Sequence, residues 1–191
     1  MGLLTEKQMK DMGLRFGKGV RISDKASIYG ANKITIGDNV RIDDFTVLSA
    51  GEGGIHIGSH IHIAVFTSLI GKGSILIEDF VNFSSKVSIY SSNDDYSGNT
   101  LTSPLVYDHY KETFDAPVTL GKHTILGCGC VVLPGTTISQ SCSIGALSLI
   151  PAKSYLEPFS VYAGIPAKYI KQRSRGHLEL EKEFLEEYKN K

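Results

Sequence analysis

The chain has 191 residues, of which 41% are hydrophobic and 21% charged, and its 20 basic and 20 acidic residues cancel. This is the length and composition of one globular domain with a substantial core. Nucleic acids bind basic surfaces, so the balanced charge argues against such a partner. No apolar run of about 18 residues and no secretion signal is present. We therefore expect no membrane span and a cytoplasmic location.

The first predicted element is a short amphipathic helix in residues 3–14, with apolar side chains at Leu4, Met9, Met12 and Leu14. The chain that follows has the pattern of stacked strands, whose exposed end would pair with other chains. We therefore expect this helix to cover that end, and we assign residues 1–15 to an N-terminal helical cap.

A six-residue repeat of apolar side chains begins at Phe16. A spacing of six does not fit the helical period of 3.6, and it is typical of a parallel β-helix built from hexapeptides. Three hexapeptides form one triangular coil whose apolar residues point inward, and the coils must stack to bury them. The predicted inward residues are Phe16, Ile22, Ile28, Ile36, Ile42, Leu48, Ile57, Ile63, Leu69, Ile77, Phe83, Ile89, Leu120, Leu126, Val132, Ile138, Ile144 and Ile150.

The repeat is most regular between Leu120 and Ser154, where a small residue follows each aliphatic residue by four positions. These residues are Thr124, Cys130, Thr136, Cys142, Ser148 and Ser154. We expect them to fill the space left at the corners of the prism, so Cys130 and Cys142 are predicted to be core residues. The spacing of Cys128 and Cys130 is not that of a zinc site.

One coil carries an insertion. Ile77 and Leu120 occupy equivalent positions but lie 43 residues apart, so roughly 25 extra residues interrupt the coil, at about 90–117. Long irregular segments of compact domains are usually functional. The segment begins with polar residues that include Asn93, Asp94 and Asp95. We assign residues 16–155 to the β-helix with this insertion.

Residues 156–191 form the predicted C-terminal region. The repeat ends after Ser154, and Gly164-Ile165-Pro166 predicts a turn that precedes the basic segment 167–173. The last predicted element is an amphipathic helix between His177 and Tyr188. Its apolar side chains are expected to pack on a wall of the prism or on a neighbouring subunit.

The repeat, the insertion and the ending SVYAGIPAKYIKQR together resemble the left-handed β-helix acyltransferases. The closest branch is that of sugar and nucleotide-sugar acetyltransferases of bacterial surface-polysaccharide pathways. The resemblance implies an all-β, left-handed parallel β-helix that forms a homotrimer with active sites between subunits. It implies transfer of an acetyl group from acetyl-CoA to a hydroxyl or amino group of a sugar or nucleotide-linked sugar, in O-antigen or capsule biosynthesis. Serine or an antibiotic is the alternative acceptor.

The same resemblance places CoA along the later coils. Its narrow pantetheine arm would pass small residues, its adenine end would lie near the Gly-Ile-Pro turn, and cations would bind its phosphates. The implied cofactor-binding residues are Gly127, Cys128, Ala146, Lys153, Pro166, Lys168 and Arg173.

The catalytic base is an open question in the sequence. Members of this family usually carry a histidine at the start of the insertion, where this chain has Asp94. Asp94 or Asp95 can act as the base, or His62 can act with the aspartates orienting it, or an amine acceptor can need only positioning. We favour Asp94 and His62 together. The predicted substrate-binding residues are Asn82, Asn93, Tyr96 and His123.

Two rival classes remain open. Some β-helix trimers bind zinc through histidines at subunit interfaces, and His56, His60 and His62 suggest that arrangement. We expect His56 on a different wall from His62, and therefore expect no metal. The other rival is a trimeric scaffold without catalytic activity.

Overall fold

Three parallel β-sheets form the walls of a triangular prism in the computed structural model, which describes residues 2–189. The chain crosses the walls in turn, so each sheet pairs strands from successive coils. The structure therefore confirms the predicted all-β parallel β-helix.

The strands are numbered β1 to β23 along the chain. The first wall contains β1 Arg15–Phe16, β4 Ile34–Ile36, β7 Ile55–Ile57, β10 Ile75–Ile77, β15 Val118–Leu120, β18 Thr137–Ile138 and β21 Tyr155–Leu156. The second wall contains β2 Arg21–Ile22, β5 Arg41–Ile42, β8 His62–Ile63, β11 Asn82–Phe83, β16 Ile125–Leu126, β19 Ser143–Ile144, β22 Ser160–Gly164 and β23 Ala167–Gln172. The third wall contains β3 Ser27–Tyr29, β6 Val47–Ala50, β9 Ser68–Gly71, β12 Ser88–Tyr90, β17 Val131–Val132 and β20 Leu149–Ile150.

The remaining elements are short. Strands β13 Ser92–Asp94 and β14 Thr113–Asp115 form an antiparallel hairpin within the insertion, and single 3₁₀ turns occupy Ala31–Lys33 and Asp108–Tyr110. The two α-helices are α1 Glu6–Asp11 and α2 His177–Lys189.

The register of the walls confirms the six-residue repeat. In the second wall, Phe83 pairs with Ile63 below it and with Leu126 above it. All three side chains are buried, so equivalent residues stack inside the prism about 4.8 Å apart. Burial of each such side chain contributes about 1.5–3 kcal/mol, and this repeated contact holds the coils in register.

The N-terminal helix covers the first coil, as expected. A capping box between Thr5 and Gln8 begins α1, which is shorter than the predicted segment. Met9 and Leu14 are buried in the core cluster, whereas Met12 is exposed.

The prism continues beyond the point where the repeat was expected to stop. Strands β21 and β22 add to the first and second walls, with Leu156 buried and Tyr162 partly buried against the core. The six-residue spacing persists through these residues, and Pro158 lies between the strands, where no wall hydrogen bond is needed. Strand β23 then pairs antiparallel with β22 and covers the last edge of the second wall.

Three corners join the walls. The first corner connects the first and second walls, the second corner connects the second and third walls, and the third corner returns to the first wall. The insertion leaves the prism at the third corner, after β12, and returns at β15. Of the small residues predicted to fill corners, Thr124, Cys130, Thr136, Cys142 and Ser148 are buried, whereas Ser154 is only partly buried.

Helix α2 lies along the first corner, which confirms that its apolar side chains pack on the prism. Phe184 and Tyr188 pack edge-on against the His60 ring at 5.1 Å. The His60 ring stacks on Phe80, and Phe80 stacks on His123 one coil higher. Within residues 2–189, neither helix has the length and apolarity to cross a bilayer.

We predict that Phe83→Ala destabilises the fold by about 3–5 kcal/mol, because it removes a large buried side chain from the middle of the column and leaves a cavity. Denaturant unfolding followed by circular dichroism measures this change. Leu76→Ala is the control, since Leu76 is exposed on the first wall. Equal destabilisation by the two substitutions would contradict the role of the inward column.

Candidate active site

The predicted loop residues come together where the insertion leaves the prism. Strand β13 carries Asn93 and Asp94, and Asp94 pairs with Thr113 of β14. A cavity of about 410 Å³ is lined by Tyr90, Ser92, Asn93, Asp94, Tyr96 and Leu133. A second cavity of about 280 Å³ is lined by residues from Asn93 to Tyr96 and from Glu112 to Phe114. Asn93, Asp94 and Tyr96 therefore border both cavities.

Asp95 has a structural environment that differs from that of Asp94. Its carboxylate accepts hydrogen bonds from the backbone N–H groups of Ser97 and Thr100, at 2.7 and 3.0 Å, and from the Thr100 hydroxyl at 2.9 Å. The hydrogen bonds from Ser97, followed by those from Thr100, lower the pKa of Asp95 to about 2. Asp95 is thus bound to its own loop, whereas Asp94 borders both cavities.

His62 lies on the outer face of the second wall, directly below Asn82, as predicted. Its carboxylate partner is Asp43 rather than the Asp94–Asp95 pair: His62 Nε2 lies 2.8 Å from Asp43 Oδ2, and Arg41 Nε donates to Asp43 Oδ1 at 2.6 Å. Burial raises the pKa of Asp43, but hydrogen bonds from His62 and Arg41 outweigh it and hold the pKa below its usual value. Asp43, which belongs to the prism, therefore orients His62, and no residue of the insertion is needed for this.

Within one chain, His62 and Asp94 are on different parts of the prism. His62 belongs to the second wall, whereas Asp94 extends from the third corner. The two residues that we expected to act jointly are therefore not assembled by a single subunit.

His123 is enclosed at the first corner rather than open to a cleft. Its Nε2 lies 2.8 Å from Glu181 of α2, and its ring packs between Phe80 and His177. These contacts occupy His123 in the attachment of α2, so the structure gives no support for a substrate contact by this side chain.

The predicted CoA residues of the later coils lie at the second corner. Gly127 lies below the segment 145–146 of the next coil, so close that a Cβ atom at Gly127 would be 2.5 Å from the Ala146 backbone nitrogen. Cys128 accepts a hydrogen bond from Leu147 N through its carbonyl oxygen, and its side chain is exposed. The result is a narrow stripe of small side chains, of the kind that a pantetheine arm can follow.

The predicted phosphate-binding cations are dispersed. Lys153 is at the third corner, where its Nζ lies 4.6 Å from the centre of the Phe114 ring. Pro166 and Lys168 belong to the turn and strand that follow β22. Arg173 is at the first corner, where its Nη1 donates to the carbonyl oxygens of His123 and Cys142 at 2.7 and 3.3 Å. Arg173 is therefore engaged by the protein and separated from Lys153.

Polar contacts also attach α2 to the first corner. Lys122 and His123 pair with Glu181, His177 is hydrogen-bonded to Ser141 at 2.9 Å, and Asn39 donates to the Tyr188 hydroxyl at 2.7 Å. Burial lowers the pKa of His177, and the nearby charges of Arg173 and His123 lower it further. These contacts thus attach α2 to the first corner.

The histidines suggested for zinc do not converge. His56 is on the first wall, His62 is on the second wall, and His60 is under α2 at the first corner. Within residues 2–189, no group of three or more histidine, cysteine or carboxylate side chains is arranged to hold a metal ion. Of the cysteines, Cys130 and Cys142 are buried, as predicted, and burial raises the pKa of Cys142 to about 11.

Comparison with known proteins adds a functional context to this geometry. The dTDP-4-amino-4,6-dideoxy-D-glucose acyltransferase of Escherichia coli is 53% identical over 185 residues, which cover 96% of this chain and 95% of that protein. This chain belongs to the same family of hexapeptide-repeat acyltransferases. This chain is therefore an acyltransferase, and acyl-CoA is its co-substrate. No protein-family model matches the chain.

Solved structures of a Bacillus cereus N-acyltransferase, AntD, are also similar. Its D94N variant, in complex with dTDP and coenzyme A, is 38% identical, covers 98% of this chain and 100% of its own, and superimposes with a TM-score of 0.91. Its S84C variant, in complex with dTDP-4-amino-4,6-dideoxyglucose and coenzyme A, is 39% identical, covers 97% and 98% respectively, and has a TM-score of 0.91.

Ser84 is not among the residues that the sequence pattern singles out. In this chain it follows β11 at the second corner, and its backbone N–H donates to Leu126 O at 3.0 Å. A serine after an inward residue of the repeat is ordinary, so the sequence pattern alone contains no signal that distinguishes Ser84 from other corner residues.

We predict that acidification loosens α2. Because the folded-state pKa of His177 is lowered, its contribution to stability is complete above its ordinary pKa of about 6.5 and is lost as the pH falls below that value. Hydrogen exchange of the α2 amides should therefore accelerate between about pH 7.5 and about pH 5.5, after correction for intrinsic exchange rates.

His177→Gln should reduce this pH dependence, because glutamine does not titrate. His109→Gln is the matched control, since His109 lies in the insertion, away from α2. An unchanged pH dependence in His177→Gln would contradict the assignment.

Proposed function

We propose that this protein transfers an acyl group from acyl-CoA to the amino nitrogen of a dTDP-linked 4-amino-4,6-dideoxy sugar. The observation that carries the proposal is the near full-length similarity to two acyltransferases, one named for this sugar nucleotide and one crystallised with it. The cavities around Asp94 provide the place for the reaction. The acceptor is thus an amine rather than a hydroxyl group, which selects one of the two alternatives left open by the sequence.

The proposed reaction is aminolysis of a thioester. The lone pair of the neutral sugar amine attacks the thioester carbonyl carbon, and a C–N bond forms while the carbonyl oxygen becomes an oxyanion. Collapse of this tetrahedral intermediate breaks the C–S bond and releases the CoA thiolate. The amine loses one proton and the thiolate gains one, so the products are the amide and free CoA.

Asp94 is the residue that we propose to accept the amine proton and orient the amine. AntD has been studied with asparagine or alanine in place of its Asp94, and with threonine, cysteine or alanine in place of its Ser84. This chain has the same residue types at the same numbers and matches AntD almost from end to end. We infer that the positions correspond, and that Ser84 lies near the reacting groups.

We propose that Asn93, Tyr96 and Asn82 contact the sugar nucleotide, while His62, held by Asp43, contributes a polar contact on the second wall. The pantetheine arm follows Gly127, Cys128 and Ala146. Lys153, Pro166 and Lys168 contact the nucleotide end of CoA. The engaged side chains of Asp95, His123 and Arg173 favour structural roles for these three residues.

We further propose a homotrimer in which each site is shared. Asp94 extends from the third corner and the stripe of small residues runs along the second corner, so one subunit presents the two parts on different edges. A neighbouring copy can bring its insertion to the stripe. The insertion also exposes Tyr96, Leu105 and Tyr107 at 86%, 94% and 77%, which is apolar surface suited to contact with a second copy.

We propose a cytoplasmic reaction that supplies an acylated sugar nucleotide for surface-polysaccharide or lipopolysaccharide synthesis. The free thiols of Cys128, Cys130 and Cys142 are consistent with a reducing compartment. CoA release in the presence of dTDP-4-amino-4,6-dideoxyglucose tests the activity itself, and no release with this or any other amino sugar nucleotide would contradict it.

We predict that Asp94→Asn lowers kcat for the sugar nucleotide by at least about tenfold, because asparagine cannot accept the amine proton. Thiol release at fixed pH, with varied amine and acyl-CoA concentrations, measures the change. Asp108→Asn is the control, because Asp108 is an exposed aspartate of the same insertion. A kcat within threefold of the wild type would rule out Asp94 as the base.

We predict that two variants of low activity, Ala146→Phe and Asp94→Asn, regain activity when they form mixed trimers. Ala146→Phe should block the stripe, and its side chain is exposed, so the core is not disturbed. Co-expressed with Asp94→Asn, it should give some interfaces that combine an intact stripe from one chain with an intact Asp94 from the other. Mixed preparations that remain as inactive as each parent would show that both parts act within one subunit.

A further inference from the structure

The insertion lies on a glycine-rich loop of the coil below it. This loop, residues 71–73, connects β9 to β10 at the third corner, and the insertion leaves the same corner one coil higher. The coil underneath supports the 71–73 loop, because Gly51 N donates to Gly71 O at 2.9 Å and Gly53 N donates to Lys72 O at 2.8 Å. The loop is therefore a continuation of the stacked prism at the place where the insertion departs from it.

The two ends of the insertion fit closely against the 71–73 loop. Ala116 N, at the returning end, donates to Ser91 O at the departing end at 3.0 Å. A Cβ atom at Gly71 would collide with Ser91 Oγ, and a Cβ atom at Gly73 would be 2.6 Å from the Ala116 carbonyl oxygen. The loop thus needs glycine at both positions, because the insertion approaches its backbone so closely.

Two consecutive serines join the insertion to this loop. Ser91 is fully buried, and its hydroxyl donates to Gly73 O at 2.6 Å. Ser92 begins strand β13, and its Oγ accepts a hydrogen bond from the backbone N–H of Lys72 at 2.6 Å. Each hydroxyl therefore binds a backbone group of the 71–73 loop, and these bonds determine where β13 starts.

The side chain of Lys72 makes a second contact, with the other strand of the hairpin. Its Nζ lies 3.7 Å from Oδ2 of Asp115, which is paired with Ser92 across the hairpin. The hydroxyl of Thr113 donates to the same Asp115 oxygen at 3.2 Å. Lys72 thus contacts β13 through its backbone and β14 through its ammonium group.

Asp94 lies on the same face of the hairpin as these contacts. Residues that pair across antiparallel strands share a face, as do residues two apart in one strand, so Ser92, Asp94, Thr113 and Asp115 lie together. In the part of the chain that the structure describes, nothing forms a hydrogen bond or ion pair with the Asp94 carboxylate. Its position therefore depends on the backbone of β13, which Ser92 attaches to the prism.

We propose that Lys72 and Ser92 are positioning residues that hold Asp94 at the reacting amine. This inference rests on the proposed function, in which Asp94 accepts the amine proton. Displacement of a catalytic group by about 1 Å can cost about a hundredfold in rate, so a support next to β13 has a measurable effect. Ser92 also borders the larger cavity, and direct contact between Ser92 and the sugar nucleotide is the alternative that the experiment separates.

The first test removes the hydroxyl of Ser92 in the full-length protein. We expect Ser92→Ala to lower kcat by about tenfold, with KM for the sugar nucleotide and for acyl-CoA changed by less than about twofold. Ser92→Thr keeps a hydroxyl group and should restore kcat to within about threefold of the wild type. Ser103→Ala is the matched control, since Ser103 is an exposed serine of the same insertion, where its Oγ binds Leu105 N.

The second test repeats the substitution in the Asp94→Asn protein. A residue that acts through Asp94 has little effect once the Asp94 carboxylate is gone, so Ser92→Ala should then lower kcat by less than about twofold. Asp115→Asn removes the ion pair with Lys72 and leaves the serine hydrogen bonds in place. It tests the proposal even if Ser92→Ala does not fold. It should lower kcat by about threefold, and this loss should also disappear in the Asp94→Asn protein.

Two results overturn the inference. An unchanged kcat in both Ser92→Ala and Asp115→Asn shows that Asp94 does not need this support. A raised KM for the sugar nucleotide, or an equal loss of kcat with and without the Asp94 carboxylate, shows that Ser92 contacts the substrate or acts independently of Asp94. Failure of the wild type to release CoA with any amino sugar nucleotide would instead remove the proposed function.

Discussion

The stacking of inward apolar side chains in register is the interaction on which the whole structure depends. Each two-residue strand of the second wall places one side chain inside the prism, and that side chain contacts its equivalents in the coils above and below. The wall hydrogen bonds then form between successive coils at a spacing of about 4.8 Å. Because every coil repeats the same geometry, corner residues are also brought into columns, and the columns create the surfaces on which function can be built.

The three corners of the prism carry different structural elements. The first corner carries a column of rings and polar groups that α2 covers, with Glu181 binding His123 and Lys122. The third corner carries the insertion, whose hairpin supports Asp94. The second corner remains open, with aromatic rings in the lower coils and small residues in the later coils. The prism thus places the attachment of α2, the hairpin that carries Asp94 and the stripe of small residues on three different edges.

The environments of the two neighbouring aspartates illustrate how local hydrogen bonds divide roles. Asp95 accepts three hydrogen bonds from its own loop and is held ionised, which stabilises the segment that presents Asp94. In the same way, Asp43 receives hydrogen bonds from His62 and Arg41 and fixes the orientation of both. Residue type alone does not distinguish a carboxylate that supports a loop from one that faces a cavity.

The prism, its coils and the place of the insertion follow from the strict six-residue period of the inward positions, and both helices follow from their amphipathic spacing. The sequence also identified the buried roles of Cys130 and Cys142 from that same period. The predicted end of the prism at residue 155 is too early, because Pro158 resembles a break in the repeat. Pro158 lies between strands β21 and β22, which continue the walls. Tertiary structure alone decided that His123 and Arg173 serve α2 and the first corner, that Asp43 is the partner of His62, and that Phe45 and Phe66 share an exposed stack. These contacts join residues from different coils or from α2, and their formation depends on side-chain direction at corners and on the path of a helix that the repeat does not encode.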